Sequence, residues 1–160
     1  MANKEKLKFR IEFYSQFWDK SPIAEIRIND STVYKDQITG SEDKPTLAEF
    51  DYELTEGEKY ELTIIRSNKD RRQTVVEDGK IVKDQLLNIK SIEIDEIDIG
   101  ALVYEGEYTP EYPEPWATQQ REAGNELPKS FKNVTILGHN GTWKLPFTSP
   151  FYMWLLENLY

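Results

Sequence analysis

Residues 86 to 99 read Leu86-Leu87-Asn88-Ile89-Lys90-Ser91-Ile92-Glu93-Ile94-Asp95-Glu96-Ile97-Asp98-Ile99. Aliphatic and polar residues alternate at a period of two, the spacing of a strand that buries one face. The alternation slips twice. Leu87 and Ile89 share one parity, Ile92 and Ile94 the other, and Ile97 and Ile99 return to the first. Because a slip of one residue turns every later side chain over, the pattern predicts a bulge or bend near Lys90-Ser91 and a tight turn at Asp95-Glu96. With both in place, all six aliphatic residues reach a common core.

Upstream, Leu7, Phe9, Ile11 and Phe13 alternate with Lys8, Arg10 and Glu12, and Ala24, Ile26 and Ile28 with Glu25, Arg27 and Asn29. Both are strands, and Asn29-Asp30-Ser31 supplies the turn into a third at Thr32-Val33-Tyr34. Phe50, Tyr52 and Leu54 mark a fourth, and Glu56 to Lys59 turns it back into 60–66. Asp78-Gly79 lies between two short β-branched runs, so 74–82 reads as a projecting hairpin.

Downstream, Tyr104, Tyr108, Tyr112 and Trp116 recur every four residues, but Pro110, Pro113 and Pro115 deny Thr109 to Trp116 a helix. The stretch 104–128 is therefore expected to be a Pro- and aromatic-rich loop. Strands resume at Val134 to Leu137 and Thr142 to Phe147, with Asn140-Gly141 as a hairpin turn between them. Ser149-Pro150 has the form of a helix N-cap followed by proline at the first helical position, which starts a helix from Phe151 to about Asn158. The chain thus reads as a single all-β domain over 1–160, an antiparallel β-sandwich of jelly-roll type with a short C-terminal helix.

Composition narrows the function classes. Twenty Lys and Arg against 29 Asp and Glu leave a net charge of -9, which repels nucleic acid. Without cysteine there is no disulfide framework, thiolate metal site or cysteine nucleophile. No apolar run approaches a membrane span, and Met1-Ala2-Asn3-Lys4-Glu5-Lys6 does not read as a signal peptide, so the protein is expected to be made and assembled inside a cell rather than secreted.

The span from about Glu25 to Ile99 resembles the small calcium-dependent carbohydrate-binding modules of xylanases. The resemblance is carried by Ile64-Ile65, Asn68-Lys69-Asp70, Asp84 and Leu87-Asn88-Ile89-Lys90-Ser91-Ile92-Glu93-Ile94. It implies a jelly roll, glycan binding and a calcium site at Asp70 and Asp84, although Lys69 interrupts the adjacent Asn-Asp of those modules. Tyr112-Pro113-Glu114-Pro115-Trp116, the segment Gly138 to Phe147 and Pro150 to Leu156 resemble proteins of tailed bacteriophages, especially those of cyanobacteria. That likeness implies a virion accessory protein, located in the virion or the host cytoplasm, and no catalytic residue.

Each candidate site has a plain alternative. His139, the single histidine, sits in a Gly-His-Asn-Gly turn with no Gly-x-Ser-x-Gly elbow anywhere in the chain, and reads as a turn residue. Tyr108, Tyr112 and Trp116 are the ligand-binding candidates, because aromatic rings stack on the C–H faces of sugars. The alternative is that the same rings fold over the sandwich edge and complete its core. In the apolar helix, Phe151, Trp154 and Leu155 are the expected contacts to virion proteins or to a second copy. The leading expectation is a non-enzymatic bacteriophage structural or accessory protein with a carbohydrate-binding-like fold that recognises glycans. A stand-alone calcium-assisted carbohydrate-binding module is the second reading and a small glycosidase the third.

Overall fold

The stretch 86–99 folds as its alternation requires. Strand β8 (Leu86–Ile94) pairs with β1 (Lys4–Gln16), Glu12 opposite Ser91 and Phe13 opposite Ile89, so Lys90 is the extra residue of a bulge. At the far end of β8, Asp95 and Glu96 both take positive φ, 54° and 68°, and form a two-residue turn into β9 (Ile97–Asp98). Leu87, Ile89, Ile92, Ile94 and Ile99 are buried, and Ile97 packs against them.

The computed structural model describes residues 3–159. β2 (Ile23–Ile28), β3 (Ser31–Gln37), β4 (Thr46–Thr55) and β5 (Lys59–Ser67) precede a small hairpin, β6 (Val75–Glu77) and β7 (Lys80–Lys83). After β9 come β10 (Glu107–Pro110), β11 (Phe131–Lys132), β12 (Ile136–Leu137) and β13 (Gly141–Thr148). One sheet runs β12-β8-β1-β4 with β9 on β8, and the other runs β11-β10-β13-β5-β2-β3. Their pairs are antiparallel, and the chain passes repeatedly between the sheets, which makes the fold an antiparallel sandwich of jelly-roll type.

The inner faces hold the core. Phe9, Ile11 and Phe13 from β1 and the aliphatic set of β8 meet Ile26, Ile28, Leu62, Ile64, Trp143, Leu145 and Phe147 from the other sheet. Their burial supplies the main driving force of folding. On the outer face, Lys8 and Arg10 pair with Glu49 at 2.9 and 3.3 Å, exposed contacts that add little stability. β6 and β7 pair only with each other, through Asp78 and Gly79 at positive φ, and Val76, Ile81 and Val82 are exposed.

Four local expectations are corrected. The stretch 104–128 is not all loop. A 3-10 helix (Gly100–Glu105) takes in Tyr104, Tyr108 lies in β10, and α1 (Trp116–Glu122) begins directly after Pro115. Proline bars a helix interior but is tolerated at a helix start, where its missing N–H has no intrahelical partner in any case. Asn140-Gly141 is not a hairpin, because β12 pairs with β8 while β13 pairs with β10 and β5. The dipeptide carries the chain from one sheet to the other, and glycine is needed because a Cβ at 141 would lie 2.5 Å from the Thr109 carbonyl oxygen.

Ser149 does not cap α2 (Phe151–Leu159), since its hydroxyl is buried without a partner. Instead Glu5 Oε1, reaching from β1, accepts the Phe151 amide at 2.8 Å and places a carboxylate at the positive end of the helix. Finally, Phe151, Trp154 and Leu155 are buried in the domain's own core and cannot be its contact surface. Trp154 lies edge-on to Phe147 and Phe151 stacks on Trp154. The open face of α2 carries Tyr152, Met153 and Leu156.

Candidate functional site: an aromatic cluster on the loop end

Strand register places the candidate residues at one end of the sandwich. Gln16 is opposite Leu86, Ser67 opposite Ile23, Arg66 opposite Gly141, Gly141 opposite Pro110, and Leu137 opposite Leu87. The ends of β1, β5, β10 and β12 and the starts of β2, β8 and β13 therefore share one rim. The loops they emit hold Trp18, Lys69, Asp70, Asp84, Tyr112, Trp116 and His139.

The three aromatic candidates separate. Tyr108 points inward and is 3% exposed, so it offers no face to a ligand. Its hydroxyl donates to the His139 carbonyl and accepts the His139 amide at 3.0 Å, and burial pushes its pKa up to about 12. Tyr112 is half-buried, its hydroxyl donating to the Pro128 carbonyl. Trp116, the first residue of α1, is 38% exposed.

Sequence reasoning left one member out. The His139 ring centroid lies 5.4 Å from Tyr112 and 5.6 Å from Trp116, and those two rings are 6.1 Å apart. The planes are tilted by 32° to 69°, so the rings form a three-sided cluster rather than a stack. Burial lowers the His139 pKa, with the positive charges of Lys69 and Arg66 adding to it, so the imidazole is neutral near pH 7. A neutral imidazole offers one donor and one acceptor. No local signal marks His139, because its ring partners lie more than twenty residues upstream and reach it only through the crossing from β12 to β13.

Beneath the cluster lies a polar layer. Arg66 is fully buried and donates to the Leu137 carbonyl at 3.2 Å, to Asn140 Oδ1 at 3.0 Å and to the Gln85 carbonyl at 2.6 Å. Burial lowers its pKa to about 10, which leaves it charged at neutral pH. Asn140 Oδ1 also accepts the Lys69 amide at 3.0 Å, and Asn140 Nδ2 donates to the Lys69 carbonyl at 2.9 Å. Fixing these buried groups fixes the turn that carries His139. Elsewhere on the rim, Trp18 is exposed, donates to the Gln73 carbonyl at 2.9 Å, and has Lys83 Nζ 4.5 Å from its ring centroid.

The two aspartates that the family likeness offers to calcium are occupied by the chain's own cations. Asp70 pairs with Lys20 at 2.9 Å and with Arg72, and those hydrogen bonds hold its carboxyl well below the usual range. Asp84 Oδ1 receives Lys69 Nζ at 2.8 Å, the Thr74 hydroxyl at 2.7 Å and the Gln85 amide at 2.8 Å. Burial alone would raise the Asp84 carboxyl, and these three donors outweigh it. Calcium takes about six to eight oxygen ligands, and a carboxylate already compensated by an ammonium does not fit that donor set. Among the described residues, no three Asp, Glu or His side chains come together as a metal would require.

No family model matches the chain, and no curated protein matches it. Two solved structures of vCBM60 do. One, in complex with galactobiose, has a TM-score of 0.47 at 12% identity over 86% of this chain and 95% of its own. The other is the SeMet form, from work on circular permutation as an evolutionary link between two families of calcium-dependent carbohydrate binding modules. It has the same score and identity over 86% of this chain and 88% of its own.

Proposed function

We propose that the chain is a non-enzymatic glycan-binding module, carried by a tailed bacteriophage as a virion structural or accessory protein. The observation behind the binding reading is the exposed Trp116 ring, backed by Tyr112 and His139 on a rim whose underlying turn is rigidly bonded. Trp116 offers a planar face for sugar C–H groups, and the neutral His139 offers a donor and an acceptor for hydroxyls beside it. The His139 ring has aromatic neighbours, an arrangement suited to stacking rather than to proton transfer.

The virion assignment, with residence in the particle or the host cytoplasm, is supported by the likeness of residues 112–116, 138–147 and 150–156 to phage proteins. The face of α2 open to neighbouring virion proteins carries Tyr152, Met153 and Leu156. A glycan array with the full chain and Trp116→Ala tests the binding reading. Selective binding that Trp116→Ala abolishes, with thermal melting moved by no more than a few degrees, is the expected result. Glycan binding retained by Trp116→Ala, or absent from the full chain, overturns it. A pull-down against the proteins of a phage particle tests the virion assignment.

A further inference from the structure

Two segments of the loop end converge on the side chain of Lys69. Its ammonium lies 2.8 Å from Asp84 Oδ1, just before β8, and 2.5 Å from the Gly138 carbonyl oxygen, in the crossing from β12 to β13. The Lys69 side chain is only 12% exposed. Its backbone is tied as well, both its amide and its carbonyl bonding the Asn140 side chain. A carboxylate and a main-chain carbonyl from separate loops, closing on one small positive charge, is an arrangement by which hard metal ions join loops. An ammonium is a compact point charge with three donors, suited to the same task at shorter range.

We propose that Lys69 is a built-in cation, joining the segment before β8 to the crossing between the sheets where a divalent ion would otherwise be needed. Charge favours this assignment. The buried Arg66 already binds the same two segments, through Gln85 on one side and Leu137 and Asn140 on the other, so the region holds two cations around the single carboxylate of Asp84. A metal would face both. Burial, with Arg66 adding to it, lowers the Lys69 pKa, and the Asp84 carboxylate opposes that shift as the partner that holds the ammonium in place. Lys69 thus acts as a positioning residue for His139, whose ring stands on the turn that Lys69 grips. The inference does not depend on glycan binding.

The experiment compares the full chain with Lys69→Met, each in EDTA and in millimolar calcium, by thermal melting and amide hydrogen exchange. The wild-type melting temperature should be the same in both solutions, because a ion bound only by the native state would raise it. Lys69→Met should melt lower by about 5 °C. Its His139 amide, donated to Tyr108, should exchange roughly tenfold faster while that of Ile92 in the core strand keeps its wild-type protection. Calcium raising the wild-type melting temperature by several degrees overturns the proposal, as does a Lys69→Met chain with unchanged melting and unchanged His139 exchange. Should Lys69→Met fail to fold, nitrogen NMR of the wild-type lysine ammonium groups decides. A Lys69 ammonium protected from exchange and shifted by Asp84→Asn supports the proposal, and one exchanging as fast as the exposed Lys80 overturns it.

Discussion

The Tyr108 hydroxyl and the His139 backbone saturate one another, the hydroxyl donating to the carbonyl and accepting the amide at 3.0 Å. A side chain on β10 thereby sets the height at which the His139 ring stands beside Trp116. Tyr108→Phe keeps the packing and removes the hydroxyl, leaving a buried amide and carbonyl without their partner. The expected cost is about 2 kcal/mol in urea unfolding. On the proposed glycan-binding function, affinity should fall as well, because the ring of His139 is no longer held.

Glu96 occupies a left-handed backbone position at φ 68° in the turn from β8 to β9, a conformation that glycine adopts without steric cost. Glu96→Gly should stabilise the domain by about 0.5–1 kcal/mol. A rise in the urea midpoint at unchanged slope is the expected reading. A fall would mean that the Glu96 side chain contributes more than its backbone strain removes.

Two substitutions in α2 should differ sharply. Trp154 packs against Phe147 and Phe151, and Trp154→Ala should cost about 3–5 kcal/mol by the cavity it opens. Leu156 is 61% exposed, and Leu156→Ala should change stability by no more than about 0.5 kcal/mol. Equal losses, measured by denaturant unfolding, would contradict the orientation of the helix.

His139 ties stability to pH. Its folded pKa lies below the unfolded value of about 6.5, first because it is buried and then because Lys69 and Arg66 approach it, with Asp84 opposing them. Above that unfolded value both states carry a neutral ring and stability is complete. As pH falls below it, the unfolded chain binds the proton first, so stability declines until the pH passes the folded pKa. The urea midpoint should therefore fall between about pH 7 and pH 5. His139→Gln should flatten that slope, since the chain has no other histidine.

The sequence was most legible where its signals are local. The parity slips in 86–99 located the Lys90 bulge and the Asp95-Glu96 turn because side-chain direction alternates residue by residue. Asn140-Gly141 was misread because the same dipeptide serves a tight turn or a close backbone approach, and only the partner strands, far away in sequence, decide which. The prolines before Trp116 correctly excluded helix up to Pro115 and concealed the one that starts after it. His139 escaped for the most basic reason. Its neighbours are defined by the passage of the chain from sheet to sheet, which no window of residues contains.

The bond from the Phe151 amide to Glu5 joins the last helix to the first strand at the end of the sandwich opposite the aromatic rim. Lys4 lies opposite Thr55, and Thr148 opposite Lys59, at that same end. The N-terminal strand and the start of the C-terminal helix are thus anchored side by side on the base. A surface tether attached through the exposed Lys59 leaves from the base, so the domain can be immobilised from below with Trp116 at the far end.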